Sequence, residues 1–188
     1  LPFSASSMTD SSARPTALVT GAARRIGREI ALTLARAGWN VAIHYATSAD
    51  DAARTADDVR ALGVDAVTLA CDLDDEAAVG TLVSRTAEAF DRIDAVVNNA
   101  SRFEYDEAAT FSGEVLQRHL GANLVVPIIL ARDLHAWLRR QDTPGRGAVV
   151  NLLDQKLWNY NPDFLSCSLT KAGLEAATTM LAQALAPE

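Results

Sequence analysis

The chain has 188 residues, of which 49% are hydrophobic and 22% are charged, and its formal net charge at pH 7 is −7. This size and composition are typical of one globular domain with a hydrophobic core. The negative charge argues against a nucleic-acid partner, and no apolar run reaches the roughly 18 residues that a membrane-spanning helix needs. Only two cysteines are present, Cys71 and Cys167. We therefore expect no disulfide framework and no metal site, in a cytoplasmic protein.

The first residues differ in composition from the rest of the chain. Residues 1–15 are rich in serine and lack an apolar stretch. We expect a disordered leader here rather than a signal peptide. Residues 16–188 are predicted to form a single α/β domain.

After the leader, short apolar segments alternate with segments of helical periodicity. The predicted strands cover residues 16–20, 41–45, 65–70, 95–98 and 148–153, and most are apolar on both faces. The predicted helices cover residues 25–37, 49–62, 76–90, 112–139 and 166–186. Repeated strand–helix units predict a Rossmann-like, doubly wound parallel sheet flanked by helices, which is a three-layer α/β/α fold.

Several residues are predicted to begin, end or bend these elements. Gly38 and Gly63 follow two helices, at a position that favours a left-handed backbone. Asp72 and Asp74 precede the third helix and are candidate caps. Pro127 predicts a kink in the fourth helix. A further turn is expected over residues 141–147.

The segment after the first strand is the most informative motif. It reads Thr20-Gly21-Ala22-Ala23-Arg24-Arg25-Ile26-Gly27 and leads from a strand into a helix. Gly21 suits a tight turn, and Gly27 lets the helix pack close to the strand. Such a turn places backbone N–H groups against a dinucleotide pyrophosphate. The candidate cofactor-binding residues are Gly21, Arg24, Arg25, Ile26 and Gly27; a plain strand–helix connection is the alternative.

The end of the second strand bears on cofactor choice. It reads His44-Tyr45-Ala46-Thr47-Ser48, where a site for NAD carries an acidic residue for the ribose 2′-hydroxyl. Hydroxyl groups and the nearby arginines suit a 2′-phosphate instead. The sequence therefore favours NADP(H), with His44, Tyr45, Thr47 and Ser48 as candidate contacts. The alternative is a polar loop beside a solvated arginine pair.

Other strand ends supply further candidates. Asp72-Leu73 follows the third strand, and the Asp72 carboxylate can accept a hydrogen bond from the adenine amino group, although a helix cap would explain it equally well. Asn99-Ala100-Ser101 follows the fourth strand, where asparagine side chains can tie neighbouring strands together and Ala100 permits close approach of adenosine. Phe103 can stack on a flat ligand, or pack as an ordinary hydrophobic residue.

Three polar residues in the second half of the chain indicate a functional site only when they are considered together. Asn123 lies inside a predicted helix, where asparagine is unfavourable. Asp154 follows the fifth strand, and Lys171 lies early in the last helix. A lysine that faces a cofactor can bind ribose hydroxyls and lower the pKa of a neighbouring acid.

Over nearly the whole chain after Pro15, these motifs together resemble the short-chain dehydrogenase/reductase family. The glycine turn with Arg25, the pair Phe103 and Asp154, and the segment around Tyr45 are similar to its pteridine-reductase branch. The resemblance implies that Arg25 contacts cofactor and substrate, that Phe103 stacks a pterin, and that Asp154 replaces the usual catalytic serine. It also implies a water chain at Asn123 and a ribose contact at Lys171.

The resemblance has one chemical departure. The family's proton donor is a tyrosine four residues before the lysine, and that position holds Cys167, thirteen residues after Asp154 as in the family. A cysteine sulfur reaches roughly 3–4 Å less far than a tyrosine hydroxyl, so a water must carry the proton. Family members also continue into a substrate-covering segment after the last helix, and we expect that the sequence is an incomplete one.

Several functions stay open. The first is an NADP(H)-dependent reductase of a C=N or C=O bond in a small molecule, with a pterin-like substrate favoured over a ketone or 3-oxoacyl group. Its candidate catalytic residues are Asn123, Asp154, Cys167 and Lys171. The second is an NADP-binding protein with impaired catalysis, and the third is a thiol enzyme. Two long apolar helices predict a homodimer or homotetramer.

Overall fold

The computed structural model describes residues 14–141 and 147–186. Within these ranges the strands are β1 Thr16–Val19, β2 Asn40–Tyr45, β3 Ala66–Ala70, β4 Ala95–Asn98 and β5 Ala148–Asn151. The α-helices are α1 Arg25–Arg36, α2 Ala49–Ala61, α3 Glu76–Val79, α4 Leu82–Phe90, α5 Gly113–Leu120, α6 Val126–Leu138 and α7 Leu165–Leu185. All strands lie parallel in the order β3-β2-β1-β4-β5. The predicted Rossmann-like fold is confirmed, and its strand order reverses between β1 and β4, where ligands bind in such sheets.

The core lies on both faces of the sheet because successive residues of a strand point in opposite directions. Leu18 of β1 packs on one face with Leu82 and Leu130, and Val19 packs on the other with Ile43. All five side chains are fully buried. Burial of each is worth about 1.5–3 kcal/mol, so the two layers hold β1 firmly at the centre of the sheet.

The outer strands are less buried than predicted. β5 lies at one edge of the sheet, and half of Val150 is exposed. An apolar cavity of about 830 Å³ adjoins this edge beside Ile30 and Leu34. The prediction of strands buried on both faces therefore holds for β1, β2 and β4, since only an inner strand is covered on both sides.

The third predicted helix is two helices. α3 ends at Val79 and α4 begins at Leu82, because Gly80 favours helix weakly and the Thr81 hydroxyl donates to the carbonyl oxygen of Ala78 at 2.7 Å. The prediction that Asp72 or Asp74 caps this helix is also wrong. The α3 cap is Asp75, whose carboxylate accepts from the Ala78 N–H at 3.1 Å.

The fourth predicted helix contains a π-helical segment, Gly121–Val125, between α5 and α6. Here the Val126 N–H donates to the carbonyl oxygen of Gly121, five residues back. Pro127 has no N–H to offer the Asn123 carbonyl, so the wider turn forms just before it. The irregularity thus lies ahead of Pro127 and contains Asn123, near which Pro127 predicts a bend in the helix.

Of the remaining predictions on helix ends and turns, one is confirmed and others lie outside the described residues. Gly38 and Gly63 have φ values of +85° and +86°, as predicted for residues that follow a helix. A short 3₁₀ helix, Gln155–Trp158, was not predicted. The leader, apart from its last two residues, and most of the 141–147 turn lie outside the described residues. Among the described helices, none combines the length and the apolar composition that a membrane crossing demands.

Candidate active site

The turn between β1 and α1 follows a tight path against the end of β4. Gly21 has a φ of +62°, and Arg25 has a φ of +57°, which is costly for a residue with a Cβ atom. A Cβ on Gly21 would lie 3.1 Å from the Cα of Ala100, and one on Gly27 would lie 2.5 Å from Nδ2 of Asn99. The contacts explain why both positions hold glycine, and they confirm the close packing predicted at Gly27.

A groove of about 620 Å³ runs over the carboxyl ends of β1, β2, β4 and β5. It brings together most of the predicted site residues: Gly21, Arg24, Arg25, Ile26, Gly27, Tyr45, Thr47, Ser48, Asn99, Ala100, Ser101, Phe103, Asp154, Cys167 and Lys171. Its middle adjoins the first turn of α1, whose leading N–H groups have no acceptor within the helix. The groove therefore offers hydrogen-bond donors to an elongated anionic ligand.

One end of the groove is basic and rich in hydroxyl groups. Arg24 is exposed there, beside Thr47 and Ser48, and Nη1 of Arg24 lies 3.7 Å from a carboxylate oxygen of Asp51. An exposed pair at that distance contributes little to stability. The guanidinium is therefore free to turn toward a ligand.

Four predicted site residues do not line the groove. His44 is buried beneath the glycine turn, Leu73 packs against the core, and Asp72 is exposed at the end of β3. The carboxylate of Asp72 accepts a hydrogen bond from the Asp74 N–H at 3.0 Å. Asn123 is fully buried behind the groove wall. His44 and Asn123 can reach a ligand only through the residues they hold.

Asn123 joins the loop after β4 to α7. Its Oδ1 accepts from the Arg102 N–H at 2.7 Å and from the Ser101 hydroxyl at 3.2 Å. Its Nδ2 donates to the Arg102 carbonyl at 3.0 Å and to the Thr170 hydroxyl at 3.2 Å. One buried amide thus orients the loop segment that carries Ser101 and Phe103.

Other asparagines tie the strand ends together, as predicted. Nδ2 of Asn98 donates to Oδ1 of Asn151 at 2.7 Å, across β4 and β5. Nδ2 of Asn99 donates to the carbonyl oxygens of Thr20 and Gly21 at 2.9 and 3.1 Å. The glycine turn and the floor of the groove are therefore one hydrogen-bonded unit.

Lys171, Cys167 and Asp154 meet at the other end of the groove. The Lys171 ammonium donates to the Leu152 carbonyl at 2.6 Å. Burial lowers the pKa of Lys171, while Cys167 and Asp154 raise it. Burial also raises the pKa of the Cys167 thiol, Asp154 adds to that rise and Lys171 opposes it. The thiol is therefore held in its neutral form, beside the side chains of Lys171 and Asp154.

Phe103 lies at the rim of this end and is 60% exposed. Its ring stacks on Phe164 with centroids 4.2 Å apart, and Tyr105 meets Phe164 edge-on at 5.4 Å. Asp106 accepts hydrogen bonds from the Ser166 N–H and hydroxyl, so the same loop is fastened to the start of α7. These partners were missed, because no local pattern in the sequence links two loops so far apart in the chain.

The comparisons with known proteins agree with this geometry. A family model described as short chain dehydrogenase matches residues 15–188. A 3-oxoacyl-[acyl-carrier-protein] reductase, FabG of Staphylococcus aureus, is 31% identical over 170 residues, which are 90% of this chain and 68% of that protein. Crystal structures of FolM alternative dihydrofolate reductase 1 from Brucella suis and Brucella canis, both with NADP, are 38% identical with a TM-score of 0.84.

The alignment with the Brucella suis structure covers 94% of this chain and 71% of that one. The family match over residues 15–188 includes all five strands and the segment from the glycine turn to Lys171. From the family match and these relatives, the chain belongs to the short chain dehydrogenase family and is an oxidoreductase of small molecules.

Proposed function

We propose that this protein is an NADP(H)-dependent reductase that acts on a C=N or C=O bond, with a pterin-like ring as the favoured substrate. The carrying observation is that one groove joins a basic, hydroxyl-rich end at Arg24 to an aromatic and acid–base end at Phe103 and Asp154. A dinucleotide phosphate needs the first end, and a flat, reducible ring needs the second.

The donors in the groove suit NADP(H). The first turn of α1 can hold a pyrophosphate, and Arg24 with Thr47 and Ser48 can hold a 2′-phosphate. The FolM neighbours, crystallised with NADP, support this choice. When bound, the cofactor supplies the hydride.

The residues at the other end would handle orientation and the proton. Lys171, fixed by the Leu152 carbonyl, would bind a ribose hydroxyl. Asp154, in its protonated carboxylic-acid form, would pass a proton to the substrate through a water and regain one from solvent, since the Cys167 side chain is too short to reach the substrate itself. Asn123 would act by holding the loop of Phe103, which in turn would cover the ring of the substrate.

A pterin is favoured over other carbonyl compounds because of the rim of the groove. Phe103 presents an aromatic surface, and Arg25 can donate to ring nitrogen and oxygen acceptors. The FolM neighbours are described as alternative dihydrofolate reductases, which supports a ring of this class. The likeness to FabG keeps a 3-oxoacyl substrate as the alternative within the enzyme class.

A second candidate function is nucleotide binding with impaired catalysis. The observation that favours it is Cys167, because binding requires no proton donor while reduction does. The raised pKa of the buried thiol argues against the thiol enzyme, which would need a thiolate.

NADPH oxidation against a panel of a dihydropterin, dihydrofolate, a 3-oxoacyl thioester and simple ketones tests the proposal, with calorimetric titration of NADPH and NADH alongside. We expect turnover of the pterin compounds and binding of NADPH at least about tenfold tighter than NADH, which is about 1.4 kcal/mol or more. Lys171→Met, which keeps the length of the side chain without its charge, should abolish turnover.

The outcomes separate the candidates. Tight NADPH binding with no turnover of any compound would favour the non-catalytic function, and turnover of the thioester alone would favour the 3-oxoacyl alternative. Equal affinities for NADPH and NADH would contradict the proposed cofactor preference.

A further inference from the structure

His44 is a buried titratable residue that the proposed chemistry does not use. It lies in β2, next to its last residue, and only 1% of its surface is exposed. Its ring extends between the turn after β1 and the end of β3. A buried histidine at a cofactor site is worth explaining because its protonation changes near neutral pH.

Both ring nitrogens of His44 form hydrogen bonds. The Gly21 N–H donates to Nδ1 of His44 at 3.1 Å, and Nε2 lies 3.0 Å from the Cys71 carbonyl oxygen. A backbone N–H can only donate and a carbonyl can only accept. The ring must therefore be neutral, with its proton on Nε2 and its lone pair on Nδ1.

The same residue holds the next N–H of the turn as well. The Ala22 N–H donates to the His44 carbonyl oxygen at 2.9 Å. Two consecutive N–H groups of the glycine turn are thus fastened to one residue of β2. Both groups are thus occupied by hydrogen bonds to β2, and the residues that follow, at the start of α1, line the groove.

We propose that neutral His44 is the positioning residue for the dinucleotide-binding turn, and that protonation of Nδ1 releases the turn and weakens cofactor binding. With a proton on Nδ1, the ring N–H and the Gly21 N–H would face each other as two donors with no acceptor between them. The turn would then have to move or lose its hydrogen bond, and the first turn of α1 starts only a few residues later. The effect on cofactor binding rests on the proposed NADP(H) function, whereas the role of His44 in holding the turn does not.

The surroundings keep His44 neutral under ordinary conditions. Burial lowers its pKa, the hydrogen bond to the Cys71 carbonyl raises it, and the positive charge of Arg85 on α4 lowers it further. Cys71, at the end of β3, adds only a neutral thiol, since burial raises the pKa of that thiol. The folded-state pKa of His44 is thus below the ordinary value, so cofactor binding should be complete above about pH 6.5 and fall at lower pH.

Matched variants test the proposal. His44→Asn places an amide oxygen near the position of Nδ1 and cannot titrate, so it should keep the Gly21 bond at every pH. His44→Leu removes the acceptor. His119→Gln is the control, since His119 is another buried histidine whose described hydrogen bonds go elsewhere: Nδ1 lies 2.9 Å from the Val115 carbonyl on α5, and Nε2 accepts from the Glu104 N–H at 3.3 Å.

The measurement is calorimetric titration of NADP⁺ between about pH 8 and pH 4.5, a range that extends about two units below the ordinary pKa of histidine because burial lowers the pKa of His44. Because the 2′-phosphate titrates there too, only the difference between variants counts. On acidification the affinity of the wild type should fall at least about fivefold more than that of His44→Asn, with His119→Gln following the wild type. His44→Leu should bind at least about tenfold more weakly at every pH. Coincident pH profiles of wild type and His44→Asn would overturn the proposal.

A second readout needs no cofactor. In the free protein, the ¹⁵N shift of His44 Nδ1 should be that of an unprotonated nitrogen at neutral pH, and acidification should increase exchange of the Gly21 amide more in wild type than in His44→Asn. If neither NADP⁺ nor NAD⁺ binds, the proposed function fails while this measurement still decides the role of His44. A protonated Nδ1 at neutral pH, or equal amide exchange in both proteins, would refute that role.

Discussion

At the scale of single residues, Cys167 decides how the reaction can proceed. It lines the groove between Asp154 and Lys171, yet it is 2% exposed and its thiol is kept neutral by burial. A tyrosine at this position would extend a phenol into the groove, beside an ammonium that lowers its pKa. Lys171 and Asp154 would then flank a proton donor that reaches the substrate directly.

We predict that Cys167→Tyr raises turnover at least tenfold on a pterin or carbonyl substrate, because general-acid catalysis is typically worth a factor of about 10²–10⁴. Cys167→Ala should change turnover little if Asp154 and water already carry the proton. Steady-state kinetics with NADPH would measure both. Ser168→Tyr, one residue further along α7, is the control and should give no gain.

A large loss of turnover in Cys167→Ala would mean that the thiol takes part, contrary to the proposed proton route. If Cys167→Tyr still binds NADPH but turns over no faster, the non-catalytic function gains support instead.

Arg25 combines a strained backbone with an exposed side chain in the groove. Glycine adopts a positive φ without steric cost. We predict that Arg25→Gly weakens NADPH and pterin binding together, each by at least about fivefold, or about 1 kcal/mol. The free energy of unfolding should not fall, since the strain of about 1–2 kcal/mol is relieved. Titration calorimetry and denaturant unfolding measure the two effects.

The control for this variant is Arg28→Ala on the same helix. Arg28 pairs with Asp58 at 2.6 Å and does not line the cofactor groove, so its replacement should leave both ligands unaffected. Unchanged binding in Arg25→Gly would make Arg25 a solvated surface residue.

At the scale of elements, the break between α5 and α6 serves the site. The π-helical segment carries Asn123, whose amide satisfies both backbone groups of Arg102. A regular helix would turn this side chain through a different angle, away from the loop. The irregular segment is therefore part of the groove's construction rather than a packing fault.

We predict that Asn123→Ala lowers the free energy of unfolding by about 2 kcal/mol, since it leaves buried polar groups of Arg102 without partners. The affinity for a pterin should fall as well, because Phe103 follows Arg102. Urea unfolding and ligand titration test this, with Gln117→Ala, at an exposed position of α5, as the control. A loss of stability no greater than in the control would contradict the structural role of Asn123.

At the scale of the whole molecule, α7 and the helical segments that pack against it expose apolar side chains. Leu169 and Met180 are 53% and 67% exposed and lie three turns apart on one face of α7. Leu120 and Val125, 36% and 41% exposed, lie at the ends of α5 and the π-helical segment, which pack against α7. Exposed apolar area of this kind favours association of subunits.

We predict a homodimer or homotetramer whose interface buries more than roughly 1,200 Å². Light scattering coupled to size exclusion should give a multiple of 20.0 kDa at tens of micromolar. Met180→Lys should reduce the assembly, because it would bury an unpaired charge. Leu62→Lys, at an exposed apolar position after α2, should not. A monomeric wild type would contradict the prediction.

The sequence by itself determined the fold class, the glycine turn and most of the groove-lining residues. These depend on local patterns: apolar strands, helical periodicity, glycines at Gly21, Gly38 and Gly63 whose backbone other residues adopt only at a cost, and Gly27 where a Cβ would not fit. Because parallel strands end at one edge of a sheet, residues placed after each strand had to meet there.

Only the tertiary structure decided what each polar side chain contacts. His44 and Asn123 looked like ligand contacts, and they prove to be buried supports of the turn and the loop. The stack of Phe103 on Phe164 and the state of the Cys167 thiol were equally hidden. A side chain's partners and its pKa depend on which distant segments pack around it and exclude water, and the chain's local pattern carries no record of that packing.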